Sequence, residues 1–317
     1  MRILLTALLA ATPAAVPPAA AAAEVAKERV CFVSRARPAA EKTVTVPSPA
    51  VRRLLRTTLS YRGPCAVYGR AVPMGGGVLR GYTQTDGRRP VAMGVTFTPA
   101  ALRDLPPEMN DGEICFDKDD DGRIERDTEC AVGHSHVLTL PKAPAPFRWA
   151  LVNWNPMGHI PVGVYNVPHF DFHFYIQPRA ARDAIRPGPC PILTNCDDYR
   201  RAKKPVPARY SHPDFHDVDA VEPGMGNHLI DTAAHEFHGE PFTHTWIYGA
   251  YDGKITFYEA MITKAWFDAR KDGCAPIKQP SAWAETGWYP TRYCIAYRGN
   301  RRDYTVSLTS FVRRPAT

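Results

Sequence analysis

The most constraining feature of this chain is a run in which aromatic and polar side chains alternate. Residues 168–175 read Pro-His-Phe-Asp-Phe-His-Phe-Tyr. Side chains of a β-strand point alternately to opposite faces, so the three phenylalanines would face a core. The opposite face would carry His169, Asp171, His173 and Tyr175. Burying such a polar row is costly unless its members are paired, hydrogen-bonded or bound to a metal, so the run predicts both a strand and a site.

Two Asp-Gly pairs predict further β-structure. Asp86-Gly87 is a turn signal within a hairpin over 78–98. Asp252-Gly253 divides a hairpin over 242–263 and suits a two-residue type I′ turn. The 31 prolines interrupt the chain too often for long helices. We therefore predict a mainly β protein, a barrel- or sandwich-like single domain with long disulfide-stapled loops. The site strands are expected at 168–177 and 242–263.

The chain divides into three predicted segments. Residues 1–23 have a positive start, an apolar stretch and a run of alanines, which is typical of a signal peptide. The apolar stretch is too short and too rich in proline to span a membrane. Residues 24–64 are predicted to be an N-terminal arm or linker with one short helix near 51–59, and 65–317 the β domain. We expect a soluble protein, secreted or periplasmic, with no integral membrane segment after signal removal.

The eight cysteines all follow the predicted signal peptide. An even number in an exported chain indicates disulfides. The spacing favours local pairs, and a thiolate metal site is disfavoured because no Cys-x-x-Cys pair occurs. The predicted pairs are Cys115 with Cys130, Cys190 with Cys196, Cys274 with Cys294, and Cys31 with Cys65.

Charge and motifs exclude several classes of function. The net charge of +7 comes from scattered residues or short clusters without a basic and aromatic stripe, so nucleic acid is not an expected partner. Neither a Gly-x-Ser-x-Gly elbow nor a His-Glu-x-x-His motif is present. The expected partner is a small ligand of unknown identity.

Histidines and carboxylates in two regions form a candidate metal site. One set lies on the alternating strand, and His228 follows in the glycine-rich stretch 224–228. On the second hairpin, a regular register places His244 opposite Met261, on the same face as Glu259 and within its reach. Imidazole and carboxylate ligands suit zinc, iron, manganese or copper. The candidate ligands are His169, Asp171, His173, His228 and Glu259.

Strand geometry limits how these ligands converge. His169 and His173 are separated by about 13 Å along a straight strand, too far to share an ion comfortably. Either the strand bends after Pro168, or one histidine only orients a ligand through Asp171. The leading hypothesis is a transition-metal site of His173, His228 and Glu259, completed by His169 or Asp171.

Two functions follow from that candidate site. If the metal is catalytic, Tyr175 or His244 would lie near the substrate of a metal-dependent enzyme. The alternative is a non-catalytic envelope-stress or ligand-binding module, in which the polar row is a structural network. His159, in a turn after Trp154, is a candidate pocket residue only.

An acidic loop at 111–130 is a separate candidate for calcium. From Asp117, carboxylates occupy positions 1, 3 and 5, with glycine at 6 and an aliphatic residue at 8, as in an EF-hand-type loop. Position 12 is Thr128, so a full EF-hand is excluded, although Glu129 is near. A structural calcium loop stapled by Cys115 and Cys130 is favoured over a solvated acidic turn, with ligands among Asp117, Asp119, Asp121, Arg123 and Glu125.

Several motifs together resemble a known family. They lie, in order, at 67–106, 154–159, 168–175, 224–228 and 241–261. They resemble a family of exported bacterial proteins, a domain of unknown function typified by a σE-regulated Thermus protein, over roughly residues 65–263. The resemblance implies a secreted, mainly β domain that assembles into homo-oligomers, with no established activity.

The resemblance also bears on the site residues. All five candidate metal ligands match characteristic positions of that family, whereas His244 does not. Ala260 departs from the family pattern, in which proline follows the glutamate, and this puts the local conformation around Glu259 in doubt. The resemblance implies no mechanism, so the site rests on the residues themselves.

Overall fold

The computed structural model describes residues 26–317, and the predicted signal peptide lies outside the described residues. Strands dominate this part of the chain. In chain order they are β1 (Lys27–Ser34), β2 (Arg37–Pro47), β3 (Tyr61–Arg62), β4 (Val67–Tyr68), β5 (Val72–Met74), β6 (Gly77–Asp86), β7 (Arg89–Phe97), β8 (His134–Thr139), β9 (Trp149–Asn155), β10 (His169–Tyr175), β11 (Pro187–Cys190), β12 (Phe215–Glu222), β13 (Gly226–Asp231), β14 (His244–Tyr251), β15 (Lys254–Thr263), β16 (Gly273–Pro276), β17 (Gly287–Tyr289), β18 (Arg292–Arg298), β19 (Asp303–Thr309) and β20 (Val312–Arg314).

The helices are short, as the frequent prolines predict. The α-helices are α1 (Ser48–Thr57), α2 (Arg126–Glu129), α3 (Arg179–Asp183), α4 (Cys196–Ala202) and α5 (Lys264–Asp268). Single 3₁₀ turns form at Pro99–Leu102, Pro191–Leu193, Ala208–Tyr210 and His235–His238. Within residues 26–317, no helix has the length and apolar character needed to cross a membrane.

Two seven-stranded antiparallel sheets form the body of the protein. The first, which we call the site sheet, has the order β12-β13-β14-β15-β10-β9-β8. The second, the support sheet, has the order β16-β18-β19-β7-β6-β4, with β5 also paired to β6. The prediction of a mainly β, sandwich-like domain is confirmed.

Aromatic side chains fill the space between the two sheets. Phe170, Phe172 and Phe174 are fully buried on the inner face of β10. Phe172 stacks on Phe97 of the support sheet at 6.1 Å between ring centroids, and Phe97 stacks in turn on Tyr304 at 5.1 Å. The phenylalanines of the alternating run therefore face the core, and the polar residues of β10 lie on the opposite face of the site sheet.

Both predicted hairpins form, but only in the second is the Asp-Gly pair the two-residue loop, because Asp86 still pairs with Arg89 in the first. Strands β6 and β7 pair up to Asp86 and Arg89, and β14 and β15 pair up to Tyr251 and Lys254. In the second turn Asp252 and Gly253 both have positive φ, 51° and 74°, as a type I′ turn requires.

All four predicted disulfides are confirmed. They join Cys31 to Cys65, Cys115 to Cys130, Cys190 to Cys196 and Cys274 to Cys294. Two of them close loops over the polar face of the site sheet: the acidic loop and the β11–α4 segment. Such cross-links stabilise loops by restricting the unfolded chain.

The segment predicted to be an N-terminal arm or linker, residues 24–64, is regularly folded from residue 27 onwards and is not a linker. Strands β1, β2 and β3 form their own antiparallel sheet, and α1 lies close to the predicted helix. This sheet is attached to the C-terminal hairpin. The Asn300 amide donates to the backbone oxygens of Thr58 and Ser60, and Arg301 lies over the Tyr61 ring. The small sheet is largely exposed on one side, so its strands carry many charged residues. These residues hid the alternation of apolar and polar side chains that would have identified the strands.

Candidate metal centre

The polar row of β10 is sealed beneath other parts of the chain. His169, Asp171, His173 and Tyr175 are 0%, 5%, 1% and 0% exposed. The loop at 156–168 covers one end of the row, where the buried Tyr165 packs edge-on against Phe242 at 4.9 Å. At the other end, Tyr175 stacks on Trp149 at 4.0 Å. The polar side chains therefore face a closed interior rather than bulk water.

Three predicted ligands meet near the middle of this face. We call His173, His228 and Glu259 the central cluster. His173 on β10 and Glu259 on β15 are direct register partners, with Nε2 and Oε1 3.5 Å apart. His228, on β13, brings its Nε2 to 4.0 Å from the other glutamate oxygen, Oε2. Ligand atoms of all three lie within 4.8 Å of one another, so one ion can contact them all.

A glycine makes room for an aromatic ring beside the central cluster. Gly249 on β14 lies between His228 and Phe257 in the register. The Phe257 ring occupies the space of its missing side chain, since a Cβ there would meet ring atoms at 2.0–2.2 Å. The ring packs against both imidazoles, at 5.0 Å from His173 and 5.3 Å from His228. It thus provides an apolar wall on one side of the cluster.

Several buried atoms of the central cluster lack hydrogen bonds. In the part of the chain that the structure describes, both ring nitrogens of His173 and the Oε2 of Glu259 have no partner. His228 differs, because its Nδ1 donates to the Ala220 carbonyl at 3.0 Å and leaves Nε2 directed at Glu259. Buried polar atoms without partners cost about 1–3 kcal/mol each, and a bound cation would satisfy the Glu259 oxygen and one of the two ring nitrogens of His173.

Burial makes the pair at the centre neutral. It lowers the pKa of His173 to about 3, although the charge of Asp171 opposes this effect. Burial also raises the pKa of Glu259 well above its usual range, and the charges of Asp171 and Glu222 add to the effect. The contact at 3.5 Å is therefore not an ion pair. A neutral imidazole is already the form that binds metal, while the glutamic acid must release its proton.

The other two predicted ligands belong to a different group. We call His159, His169 and Asp171 the loop cluster, because His159 lies on the covering loop. Strand β10 runs in continuous register with both neighbours, so it does not bend to bring His169 towards His173. Within residues 26–317 neither His169 nor Asp171 joins the central cluster, and the expectation that one of them completes it is wrong.

Contacts in the loop cluster are short. The Nε2 atoms of His159 and His169 lie 3.0 Å apart. Asp171 places Oδ1 3.2 Å from His169 Nε2 and Oδ2 3.5 Å from His159 Nε2. The Asn155 amide donates to Asp171 Oδ2 at 2.5 Å and lies 3.4 Å from His169 Nε2. The cluster is therefore both a hydrogen-bonded network and a set of three metal-ligand atoms.

Charges in the loop cluster are opposite in sign. Burial disfavours the charged form of Asp171, but the His169 and His159 rings outweigh it and hold the pKa of that carboxyl well below its usual range. Burial likewise lowers the pKa of His159, yet Asp171 outweighs it and raises that pKa to about 9. Without a metal, His159 thus holds a proton beside the carboxylate.

Sequence reasoning did not identify His159 as a ligand. Gly158 has φ of 71°, and a Cβ there would lie 2.1 Å from the Tyr165 carbonyl oxygen. This glycine allows the tight turn that brings the following histidine over the sheet. The Pro-Met-Gly-His sequence of the turn is the only signal that points to it.

Two further polar side chains adjoin the central cluster. The Tyr175 hydroxyl has no hydrogen-bond partner among the described residues, and burial raises its pKa against the opposing charge of Arg182. Arg182, on α3, is 9% exposed. Its Nε and one terminal nitrogen also lack partners in residues 26–317. Tyr175 thus lies beside His173, at 5.9 Å between ring centroids.

The prediction that His244 lies on the same face of the sheet as Glu259 is wrong. A bulge between Gly249 and Ala250 shifts the register of β14 by one, so Ile247 rather than Trp246 lies opposite Glu259. Because side chains alternate, His244 is turned to the other face of the site sheet. There its Nδ1 meets the Tyr293 hydroxyl at 2.7 Å. It lies on the core side, away from both clusters.

The acidic loop brings its carboxylates together. Asp117, Asp119 and Asp121 have oxygens within 4.8 Å of one another, and Asp119 belongs to a second such group with Glu125 and Glu129. Glu129 is buried, and its two oxygens accept the backbone amides of Lys118 and Glu125 at 2.6 and 2.9 Å. Partial desolvation and neighbouring charges raise the pKa of Glu125.

Glu129 lies one position beyond the usual EF-hand glutamate, which is why its place in the loop was not predicted. Arg123 contributes a backbone amide to Asp121 at 2.8 Å, which holds the turn of the loop.

Comparison with known proteins adds no family assignment. No protein-family model, curated protein or solved structure matches the chain. The resemblance to the exported bacterial family therefore stays a prediction, and the functional argument rests on the geometry of the two clusters.

Proposed function

We propose that this protein binds a transition-metal ion at the central cluster and is a metal-dependent enzyme of the cell envelope or exterior. One observation carries the proposal: His173 and Glu259 are fully buried, face each other, and leave nitrogens and an oxygen without partners among the described residues. Natural proteins seldom retain such atoms unless an ion or water satisfies them.

The donor set fits the ion. Two imidazoles and one carboxylate are the ligands of several catalytic zinc sites and of non-haem iron sites, which keep positions open for water or substrate. In tetrahedral coordination at the usual bond lengths, ligand atoms stand roughly 3.3 Å apart. The separations of 3.5 and 4.0 Å are to different oxygens of Glu259, and one ligand atom from each residue lies within 4.8 Å of the other two. Binding one ion therefore requires the three side chains to move inward. Zinc, iron, manganese and copper are all compatible with this set.

The surrounding residues have defined roles in this proposal. The Ala220 carbonyl holds the His228 ring in the tautomer that presents Nε2. The metal would supply a Lewis acid or an activated water at an open position. Tyr175 offers a hydroxyl, and Arg182 a buried positive charge that would attract an anionic group of a substrate. Both lie beside His173 and within the sealed face.

The second candidate function is non-catalytic. The loop cluster supports it, because Asp171 already has partners in Asn155, His159 and His169. A polar row satisfied in this way would be structural, as in an envelope-stress or ligand-binding module. The central cluster separates the two functions, since its unpartnered atoms are not explained by such a network.

Metal analysis of the untagged protein, purified from the periplasm without chelator, tests the proposal. We expect about one equivalent of a transition metal at the central cluster, and less than half of it in His228→Ala. His216→Ala is the matched control, because His216 is exposed on β12. Full occupancy of that ion in His228→Ala would exclude the assignment, and its absence from the unmodified protein would favour the structural alternative.

We also propose that the acidic loop binds calcium in a structural role. The convergence of two carboxylate groups on Asp119, next to the Cys115–Cys130 disulfide, supports this. Extracellular calcium modules bind their ion at about 10⁻⁴–10⁻³ M. Isothermal titration calorimetry with calcium should give a dissociation constant in that range.

Export is part of the same proposal. The four disulfides and the alanine-rich beginning of the chain support a secreted or periplasmic location. Fractionation of expressing cells should recover the oxidised protein outside the cytoplasm. Recovery of only reduced cytoplasmic protein would contradict it.

A further inference from the structure

We infer that the loop cluster is a second transition-metal site, separate from the central cluster. Its ligands are His159, His169 and Asp171, which come from the covering loop and from β10. The inference depends on the orientation of the two imidazoles and does not require a metal at the central cluster.

The tautomers of the two histidines carry the inference. His159 Nδ1 lies 2.8 Å from the Ile160 carbonyl oxygen, and His169 Nδ1 lies 2.7 Å from that of Val167. A carbonyl oxygen can only accept, so both Nδ1 atoms are the donors. In neutral rings the Nε2 atoms then carry lone pairs, and these two atoms lie 3.0 Å apart. A positive species must lie between them.

That species is a proton in the metal-free protein and a metal ion in the loaded one. The backbone carbonyls hold both rings in the orientation that second-sphere partners impose on metal-binding histidines. The two Nε2 atoms stand 3.0 Å apart, and they lie 3.2 and 3.5 Å from different oxygens of Asp171, close to the roughly 3.3 Å between ligand atoms of a tetrahedral zinc ion. One ligand atom from each residue lies within 4.8 Å of the other two. No side chain has to move far for an ion to replace the proton.

The third ligand, Asp171, is also held in a fixed orientation. Asn155 donates to Asp171 Oδ2 and so fixes the plane of the carboxylate. The other oxygen, Oδ1, is buried and lies 3.2 Å from His169 Nε2, but it accepts no hydrogen bond within residues 26–317. An oriented carboxylate in contact with two imidazoles is a ligand set of the kind that binds zinc or iron.

Position in the fold sets this site apart from the central cluster. The His159 side chain is 16% exposed, whereas those of His173 and Glu259 are 1% exposed. The remaining coordination positions would therefore lie towards the covering loop and solvent. An ion here would also tie that loop to the site sheet. We expect the ion at the loop cluster to exchange faster than the ion at the central cluster. Chelators should also remove it first.

Metal stoichiometry in matched variants tests the inference. The unmodified protein, reconstituted with cobalt(II) after chelation, should bind two equivalents. His159→Gln and Glu259→Gln should each retain one, and the double variant none. Limited chelation of the unmodified protein should remove the ion that His159→Gln lacks.

The outcomes separate this inference from the proposed function. One equivalent that survives in His159→Gln but not in Glu259→Gln would overturn the second site and leave the central one. The reverse result would overturn the central site alone. A single equivalent lost in both variants would mean one shared ion and would also overturn this inference, as would no bound cobalt at all.

A measurement on the unmodified protein does not depend on whether the variants fold. Crystals of the cobalt-loaded protein should give two anomalous peaks at the cobalt edge, one of them between His159 and His169. A peak confined to the central cluster would overturn the second site.

Discussion

His173 and Glu259 are register partners on β10 and β15, with Nε2 and Oε1 3.5 Å apart, and each side chain is 1% exposed. Burial lowers the pKa of the histidine to about 3 and raises that of the glutamate well above its usual range. Both members are therefore neutral without an ion. A pair that does not form an ion pair, and whose atoms lack other partners in the described chain, is better explained as a ligand set than as a stabilising contact.

Glu259→Gln should abolish metal binding at the central cluster without unfolding the protein. Glutamine resembles the protonated glutamic acid of the metal-free protein, so we expect its metal-free melting temperature to stay within about 2 °C. In the unmodified protein, metal at a hundred times its dissociation constant should add about 2.7 kcal/mol of stability, a rise of roughly 5 °C. The variant should lose the part of this rise that comes from the central ion. Scanning calorimetry with and without metal measures both, and an undiminished rise would contradict the assignment.

Gly158→Ala should detach His159 from the loop cluster. The glycine has φ of 71°, and a Cβ would lie 2.1 Å from the Tyr165 carbonyl oxygen. Gly163→Ala is the control, because Gly163 also has positive φ but nothing lies within 4 Å of its Cβ position. We expect about 1 kcal/mol of destabilisation in the control and about 3 kcal/mol in Gly158→Ala. Urea unfolding and metal analysis should find the second ion lost only in Gly158→Ala; equal behaviour of the two variants would refute the role of the turn.

Asp119→Asn should weaken calcium binding by at least tenfold. Asp119 belongs to both carboxylate groups of the acidic loop, so its neutralisation affects every arrangement of ligands there. Asp127→Asn removes the same charge from α2, outside both groups, and should change the affinity by less than threefold. Isothermal titration calorimetry compares the two. Equal affinities would indicate that only the general negative charge of the loop attracts the ion.

His244 should make the protein less stable in acid. Burial, reinforced by the charge of His235, lowers the pKa of His244 to about 4 in the folded state, against about 6.5 when unfolded. At a pH between these two pKa values, His244 binds a proton in the unfolded chain but not in the folded protein. The free energy of unfolding should therefore fall as the pH drops from about 6.5 to about 4, by on the order of 2 kcal/mol after allowance for partial exposure of the ring.

His244→Gln should flatten that part of the profile. His216→Gln, at an exposed position, should leave it unchanged. Denaturant unfolding at several pH values is the measurement. The same acid loss in His244→Gln as in the unmodified protein would assign the effect to other groups.

Local sequence patterns predicted β10, β14 and β15 of the site sheet. The alternation on β10 has a single period, and the Asp252-Gly253 turn requires backbone angles that few other residues adopt, so both features have one structural solution. Three disulfides followed from short spacing, and Cys31 and Cys65 were paired because they remained. The N-terminal sheet was missed because its strands are mostly exposed and carry charges, which hides the alternation.

The face of His244 illustrates a different limit. Its position followed correctly from the Asp252-Gly253 turn, but one extra residue at Gly249 and Ala250 reversed its orientation. The bulge accompanies the Phe257 ring over Gly249, a contact between neighbouring strands that pattern alone does not reveal. A shift of one residue is enough, because the side-chain period of a strand is two.

The sequence by itself determined which residue types share the polar face of β10, because alternation is a local property of the backbone. Only the tertiary structure decided how they are grouped. His228 reaches Glu259 across an intervening strand, and His159 reaches His169 through the fold of a loop. Grouping depends on register, on strand order and on the path of loops, all of which are set by packing between distant segments. The five residues were therefore recognisable as candidate metal ligands, while their division into two clusters was not.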